Sequence, residues 1–117
     1  MDYTVEYTQI TGTAAACLPV IKNRVSNLAA RCRYFYIGLT NRPEDRMREH
    51  RRDDGILWDR MVVLYQTTSL RKEGDFEEEL ILYYKSSRYS RKLTNDRNGR
   101  QGPTTDPPLY IYAIFKY

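Results

Sequence analysis

The sequence contains one histidine, His50, and two cysteines, Cys17 and Cys32, among 117 residues. Two cysteines cannot build the disulfide framework that stabilises many small secreted proteins. One histidine and two cysteines also fall short of the four Cys and His ligands of a structural zinc site. We therefore interpret both cysteines as free thiols on the apolar face of a helix.

Long apolar runs are also missing from the sequence. No stretch approaches the roughly 20 apolar residues that a membrane helix needs. The first residues, Met-Asp-Tyr-Thr, lack the basic and apolar regions of a secretory signal. We expect an intracellular protein (cytoplasmic, or nuclear in a eukaryote) with no membrane partner. The length predicts a single domain over residues 1–117.

Basic residues are concentrated in two segments, although the net charge of +4 is modest. Five arginines lie within residues 42–52, and six lysines and arginines lie within residues 85–100. Such clusters suit contacts with nucleic-acid phosphates, although solvated helix faces have the same composition. The candidates for nucleic-acid binding in these segments are Arg42, Lys85 and Arg97.

The spacing of apolar residues predicts the order β-α-β-α-β-α-β, a small α+β domain. Strands are expected at 3–10, 34–39, 60–67 and 109–117, and helices at 14–32, 41–55 and 74–89. Residues 94–108 are rich in Gly, Pro and Asn, which predicts an irregular loop.

Several residues are predicted to mark where the helices begin. Pro19 is expected in the first turn of the first helix, where its missing N–H costs little. Asn41 is expected to cap the second helix. Asp75 and Glu78 have the spacing of a capping box at the start of the third helix.

The segment most suggestive of chemistry is Tyr36-Ile37-Gly38-Leu39-Thr40, followed by Arg46 and His50. Arg46 and His50 are four residues apart, so they share one face of a helix. If that helix packs beside the strand of Tyr36, a phenol, a guanidinium and an imidazole converge. Cleavage of a phosphodiester uses such groups as a base and as a cation for the developing charge. The alternative is a core tyrosine, a surface arginine and an exposed histidine.

Glu77 lies on the same predicted helical stripe as Leu80, Ile81 and Tyr84. A carboxylate on an apolar stripe is costly unless something compensates its charge. A hard cation such as Mg²⁺ would do so, because it prefers oxygen ligands and needs few from the protein. Alternatively, Glu77 is exposed in the first helical turn and interacts favourably with the helix dipole.

Taken together, these residues resemble the GIY-YIG nuclease family over roughly residues 34–99. Tyr36-Ile37-Gly38 matches the second half of the family signature, and Arg46 follows the motif tyrosine by ten residues, as the catalytic arginine does. His50 matches a histidine found in several branches of the family. Glu77, in the pattern Glu-x-x-Leu-Ile, resembles the metal-binding glutamate. Asn95 resembles the trailing asparagine, a further candidate for nucleic-acid binding.

Two features depart from the family pattern. No Gly-Ile-Tyr lies about ten residues before Tyr36, where a helix is predicted instead. The first-strand tyrosine would then be Tyr7, with an extra helix between the first two strands, and Tyr3 and Tyr34 are alternatives. Leu39 follows the motif glycine, where some members carry a lysine that assists catalysis.

The resemblance implies a small central β-sheet flanked by helices and a metal-dependent DNA endonuclease. A single Mg²⁺ or Mn²⁺ would be held by Glu77 and the substrate phosphate. Tyr7, or Tyr36 in its place, would accept a proton from the attacking water with help from His50. Arg46 would bind the scissile phosphate. Specificity would come from this domain, from a homodimer or from a partner protein.

Two other classes of function are compatible with the sequence. The fold could serve as a nucleic-acid-binding module without turnover, which fits the missing Gly-Ile-Tyr and the leucine after the motif glycine. The 11 tyrosines could instead form the contact patch of a small protein-interaction domain. Binding to DNA and dependence on a divalent metal distinguish the three.

Overall fold

The computed structural model describes residues 2–68, 70–95 and 106–117, with the side chains of residues 70–74 outside that description. The elements follow the predicted order, and the fold is a small α+β domain. They are β1 (Thr4–Ile10), α1 (Ala14–Ala29), β2 (Tyr34–Thr40), α2 (Pro43–Asp53), β3 (Arg60–Thr67), α3 (Leu70–Lys85) and β4 (Leu109–Lys116). The predicted loop 94–108 lies mostly outside the described residues.

The four strands form one mixed sheet in the order β1-β3-β4-β2. β1 runs parallel to β3, whereas β4 is antiparallel to both β3 and β2. The first two strands of the chain therefore occupy opposite edges of the sheet, and the last strand pairs with β2. This arrangement decides which tyrosines can reach the motif residues on β2.

The two central strands, β3 and β4, are buried along nearly their whole length. Their near-continuous apolar sequences follow from this position, because helices cover both faces of the sheet. α1 and α3 pack on one face around Ile21, Val25, Leu80 and Ile81. α2 covers part of the other face, where Met47 packs with Trp58 and other residues of a smaller core.

The beginnings of the helices differ from the predictions. Thr13 caps α1 by accepting a hydrogen bond from the N–H of Ala16, and Pro19 is the sixth helical residue, beyond the first turn. Pro19 is exposed, so water can reach the carbonyl that its ring leaves without an intrahelical donor. Cys32 lies beyond the end of α1, although both cysteines are buried free thiols.

The predicted caps of the other two helices are also wrong. Arg42 occupies the N-cap of α2, and its N–H is bound by the hydroxyl of Thr40, so Asn41 does not cap this helix. α3 already begins at Leu70, which places Asp75 inside the helix and excludes the capping box. Within the described residues, no helix has the length and apolarity needed to cross a membrane.

Tyr112 on β4 lies directly opposite Gly38 on β2. A Cβ atom added to Gly38 would overlap the ring and hydroxyl of Tyr112. The glycine therefore leaves the space in which the Tyr112 ring crosses β2. Tyr112 is fully buried there, and its hydroxyl lies against His50 of α2.

Substitution of Gly38 by alanine tests this packing. We expect Gly38→Ala to lower the free energy of unfolding by about 1–3 kcal/mol, because the Tyr112 ring must move out of a packed site. The measurement is urea denaturation of Gly38→Ala, Tyr112→Ala and the double variant. If the overlap is the cause, Gly38→Ala costs much less in the Tyr112→Ala background; equal costs in both backgrounds would contradict it.

Candidate active site

The face of the sheet under α2 brings together residues from β2, α2 and β4. The ring of Tyr36 lies 4.7 Å from the imidazole of His50 and 6.4 Å from the ring of Tyr112, measured between centroids. Arg46, one turn before His50 on α2, interacts with both phenols. The phenol, guanidinium and imidazole that the sequence singled out therefore converge in the structure, with Tyr112 as an additional member.

His50 is buried, with 3% of its surface exposed, which excludes the alternative of an ordinary surface histidine. Its Nε2 lies 2.7 Å from the hydroxyl of Tyr112, and its Nδ1 lies 2.6 Å from Oδ2 of Asp54. The same carboxylate oxygen accepts a hydrogen bond of 3.0 Å from the indole N–H of Trp58. Asp54, His50 and Tyr112 thus form one continuous chain of hydrogen bonds.

Burial lowers the pKa of His50 below its ordinary value of 6.5, and the charge of Arg46 lowers it further. The hydrogen bond and charge of Asp54 oppose this shift without cancelling it. The imidazole is therefore neutral at pH 7, so one ring nitrogen is free to accept a proton.

Both phenols of the cluster are protonated at neutral pH. Burial raises the pKa of Tyr36, Arg46 opposes the shift, and the negative charge of Glu77 adds to it. Burial likewise raises the pKa of Tyr112 well above its ordinary value of 10. A resting phenolate is thus disfavoured, and any proton that leaves Tyr112 needs an acceptor such as His50.

Arg46 is half-buried, and its guanidinium is 2.9 Å from the carboxylate of Glu49. Nearby phenols and Glu49 raise the pKa of Arg46 despite its burial, so its positive charge is permanent. This charge faces the same space as the phenols of Tyr36 and Tyr112. A fixed cation beside protonated hydroxyl groups can bind an anionic oxygen such as that of a phosphate.

Glu77 lies on α3, which packs on the face of the sheet opposite α2, and it is buried, with 3% of its surface exposed. Burial is the main cause of the raised pKa values of Tyr36 and Tyr112, and the negative charge of Glu77 adds to both shifts. The alternative of an exposed first-turn glutamate is therefore excluded. Among the described residues, no group of three or more His, Cys, Asp or Glu side chains is arranged to hold a metal ion.

Tyr7 does not occupy the place expected for a first-strand tyrosine. It lies on β1 at the opposite edge from β2, and Val63 of β3 separates it from Tyr112 in the same row of the sheet. Its ring is 51% exposed, and its hydroxyl donates to Glu44 at 3.1 Å. The tyrosine beside the motif strand is instead Tyr112, because β4 pairs with β2.

Most arginines of the predicted basic segment 42–52 are paired with acids of α2. The ion pairs are Arg42–Asp45, Arg46–Glu49, Arg48–Asp45 and Arg52–Asp53. Arg51 instead donates to the backbone carbonyl of Trp58 and lies over the ring of Tyr3. Exposed ion pairs are weak and break at little cost, but these acids reduce the positive potential expected along the helix.

Of the remaining candidates for nucleic-acid binding, Asn95 lies beside the strand of Tyr36, and Lys85 lies at the end of α3. Asn95 forms two hydrogen bonds with the backbone of Ile37, one to its N–H (2.9 Å) and one to its carbonyl (2.8 Å). Asn95 therefore closes the outer edge of β2 beside Tyr36, and a contact with nucleic acid stays a prediction. Lys85 is the last residue of α3, and Arg97 lies outside the described residues.

The sequence offered little to single out Tyr112 and Asp54. Tyr112 is one of 11 tyrosines and lies in a strand whose neighbours depend on long-range pairing. Asp54 stood out only as part of the stretch that ends α2. The one local signal is the spacing of four between His50 and Asp54, which puts both on one side of the helix end.

The single histidine makes the burial of His50 testable through pH. Because the pKa of His50 is lowered in the folded state, the unfolded chain takes up the proton more readily below pH 6.5. We expect the free energy of unfolding to fall as the pH drops from 7 through 6.5, by at most about 1.4 kcal/mol per pH unit. Urea denaturation at each pH measures it. In His50→Gln this dependence between pH 7 and 5.5 should disappear; an unchanged dependence would contradict the assignment.

Comparison with protein-family models, with curated proteins and with solved structures found no match.

Proposed function

We propose that this chain is a metal-dependent DNA endonuclease that hydrolyses phosphodiester bonds with a single Mg²⁺ or Mn²⁺. The observation that carries the proposal is the cluster of Arg46, His50 and two phenols under α2, with the buried carboxylate of Glu77 on α3 acting electrostatically on both phenols. Hydrolysis of a phosphodiester needs a proton acceptor for water, a cation for the phosphate charge and a site for a hard metal ion. Each of these needs has a candidate in the cluster.

In this proposal Tyr112 takes the role that the resemblance assigned to Tyr7. Ile111-Tyr112 supplies the last two letters of Gly-Ile-Tyr, and its strand pairs directly with the strand of Tyr36-Ile37-Gly38. The two motif strands then follow each other in the reverse order along the chain.

The proton from the attacking water would pass through Tyr112. Its hydroxyl gives its own proton to Nε2 of His50, 2.7 Å away, as it takes the proton of the water. The water oxygen bonds to phosphorus, and the leaving oxygen departs and is protonated by solvent. No phenolate is needed at rest, which agrees with the raised pKa of Tyr112 and the neutral imidazole.

Arg46 and Tyr36 would bind and orient the substrate phosphate. The guanidinium supplies a permanent positive charge. Its attraction to the phosphoryl oxygens becomes stronger as negative charge develops on them during the reaction. Tyr36 is less buried than Tyr112, and its protonated hydroxyl can donate to a phosphate oxygen. Its ring contact with His50 holds the two groups in a fixed relation.

The donor set fits one hard cation. Glu77 is a buried carboxylate whose charge acts on both phenols, and Mg²⁺ accepts one or two carboxylates with water and phosphate completing its shell. Glu77 would hold the ion, and the ion would supply Lewis-acid stabilisation of the phosphate charge.

A second candidate is a nucleic-acid-binding module with the same fold and no turnover. It is favoured by the burial of Tyr112, which is 1% exposed, and by the ion pair between Arg46 and Glu49. Burial keeps Tyr112 away from solvent, and Arg46 already has a carboxylate partner. In that case DNA binding would weaken with salt and would need no divalent metal.

The decisive comparison is between Glu77→Gln and Glu78→Gln. The two glutamates are neighbours on α3, but Glu77 is buried in the site and Glu78 is exposed. We expect Glu77→Gln to slow metal-dependent nicking of supercoiled plasmid or branched DNA by about 100-fold or more, since it removes the metal's carboxylate. Glu78→Gln should cleave like the wild type.

The assay is run in Mg²⁺, in Mn²⁺ and in EDTA, beside gel shifts over a range of salt concentrations. Cleavage by Glu77→Gln at the wild-type rate would refute the proposed metal site. Salt-sensitive binding without cleavage by any protein would favour the binding module instead.

A further inference from the structure

His50 is held from both sides, and the group on its Nδ1 side has no role in the reaction described above. Asp54 directly follows α2, and its Oδ2 lies 2.6 Å from Nδ1 of His50. Its backbone N–H donates a hydrogen bond to the carbonyl of His50 at 3.0 Å. The two residues are therefore joined twice, once through the backbone and once through the side chains. This double connection fixes the distance between carboxylate and imidazole.

The orientation of the Asp54 carboxylate is fixed in turn by Trp58. The indole nitrogen can only donate a hydrogen bond, and it donates to Oδ2 of Asp54 at 3.0 Å. Trp58 is fully buried, and its ring packs 6.5 Å from the imidazole of His50. Oδ2 of Asp54 therefore lies within hydrogen-bond distance of both the indole nitrogen of Trp58 and Nδ1 of His50.

We propose that Asp54 is a positioning residue that holds the proton of neutral His50 on Nδ1, so that Nε2 presents its lone pair to Tyr112. An ionised carboxylate only accepts hydrogen bonds, so Nδ1 must donate to it. The other nitrogen of the neutral ring is then the acceptor for the Tyr112 hydroxyl. The inference deepens the proposed function and rests on it for its catalytic consequence.

The opposite tautomer is disfavoured by the same contacts. It would turn the lone pair of Nδ1 towards the Asp54 carboxylate and would direct an N–H towards the hydroxyl of Tyr112. His50 could then no longer take a proton from Tyr112. The carboxylate–imidazole pair of serine hydrolases works by this principle, in which the acid fixes the tautomer and stabilises the imidazolium that forms.

Asp54 also favours the protonated imidazole once the proton has been transferred. Arg46 disfavours the imidazolium of His50, whereas Asp54, Glu49 and the exposed Asp53 favour it. Asp54 alone among these forms a hydrogen bond with the ring. It therefore offers the most direct stabilisation of the charge that arises during proton transfer.

The single histidine of the chain allows the tautomer to be read directly by ¹⁵N NMR of the imidazole. In the wild type at pH 8 we expect a protonated Nδ1 and an unprotonated Nε2. Asp54→Asn should shift the population towards the Nε2-protonated form, because the amide can donate to Nδ1. Asp54→Glu, which keeps a carboxylate, should retain the wild-type tautomer.

The matched control is Asp53→Asn, which changes an exposed aspartate that pairs with Arg52. Its imidazole tautomer and its activity should equal those of the wild type. Asp54→Asn should slow DNA cleavage by about 10²- to 10⁴-fold. An Nε2-protonated imidazole in the wild type would overturn the inference. The inference can therefore be refuted by the wild type alone, even if a variant fails to fold.

The two readouts separate this inference from the proposed nuclease function. A tautomer change in Asp54→Asn with no cleavage by the wild type would refute the nuclease and leave the positioning of His50 supported. Wild-type cleavage with an unchanged tautomer and rate in Asp54→Asn would refute the role of Asp54 and leave the nuclease supported.

Discussion

The hydrogen bond of 2.7 Å between His50 and Tyr112 joins α2 to the centre of the sheet, and the candidate site depends on it. Both residues are buried, so each polar group needs a partner inside the protein. Gly38 leaves room for the Tyr112 ring, and Asp54 satisfies the other nitrogen of the imidazole. A substitution that breaks these contacts would leave a buried polar group without its hydrogen-bond partner, which lowers the stability of the folded protein.

The order of the elements could be predicted from the sequence because periodicity and breaks are local. Strand β3, for example, has the predicted bounds, Arg60–Thr67. The order of the strands could not be predicted in this way, because the pairing of β4 with β2 joins residues that are 70–82 positions apart in the chain. The start of α3 was missed because Gly74 and Asp75 have the composition of a helix boundary, yet they lie inside the helix.

The same distinction between local and distant signals applies to the site. Arg46 and His50 were predicted to share a face because their spacing of four fixes it, and Glu77 was noted because a carboxylate interrupts an apolar stripe. Tyr112 and Asp54 have no such local mark. The arginines of residues 42–52 predict a basic surface for nucleic acid. The acids that pair with them in α2 reduce its positive potential.

The role of Tyr112 is tested most directly by single-turnover DNA cleavage with Tyr112→Phe beside Tyr7→Phe, in saturating Mg²⁺. Both variants remove one hydroxyl from a strand on the same face of the sheet, but only Tyr112 contacts His50. A nuclease centred on Tyr112 predicts a loss of about 10²- to 10⁴-fold in Tyr112→Phe and a near wild-type rate in Tyr7→Phe. Wild-type cleavage by Tyr112→Phe, with a large loss in Tyr7→Phe, would contradict it.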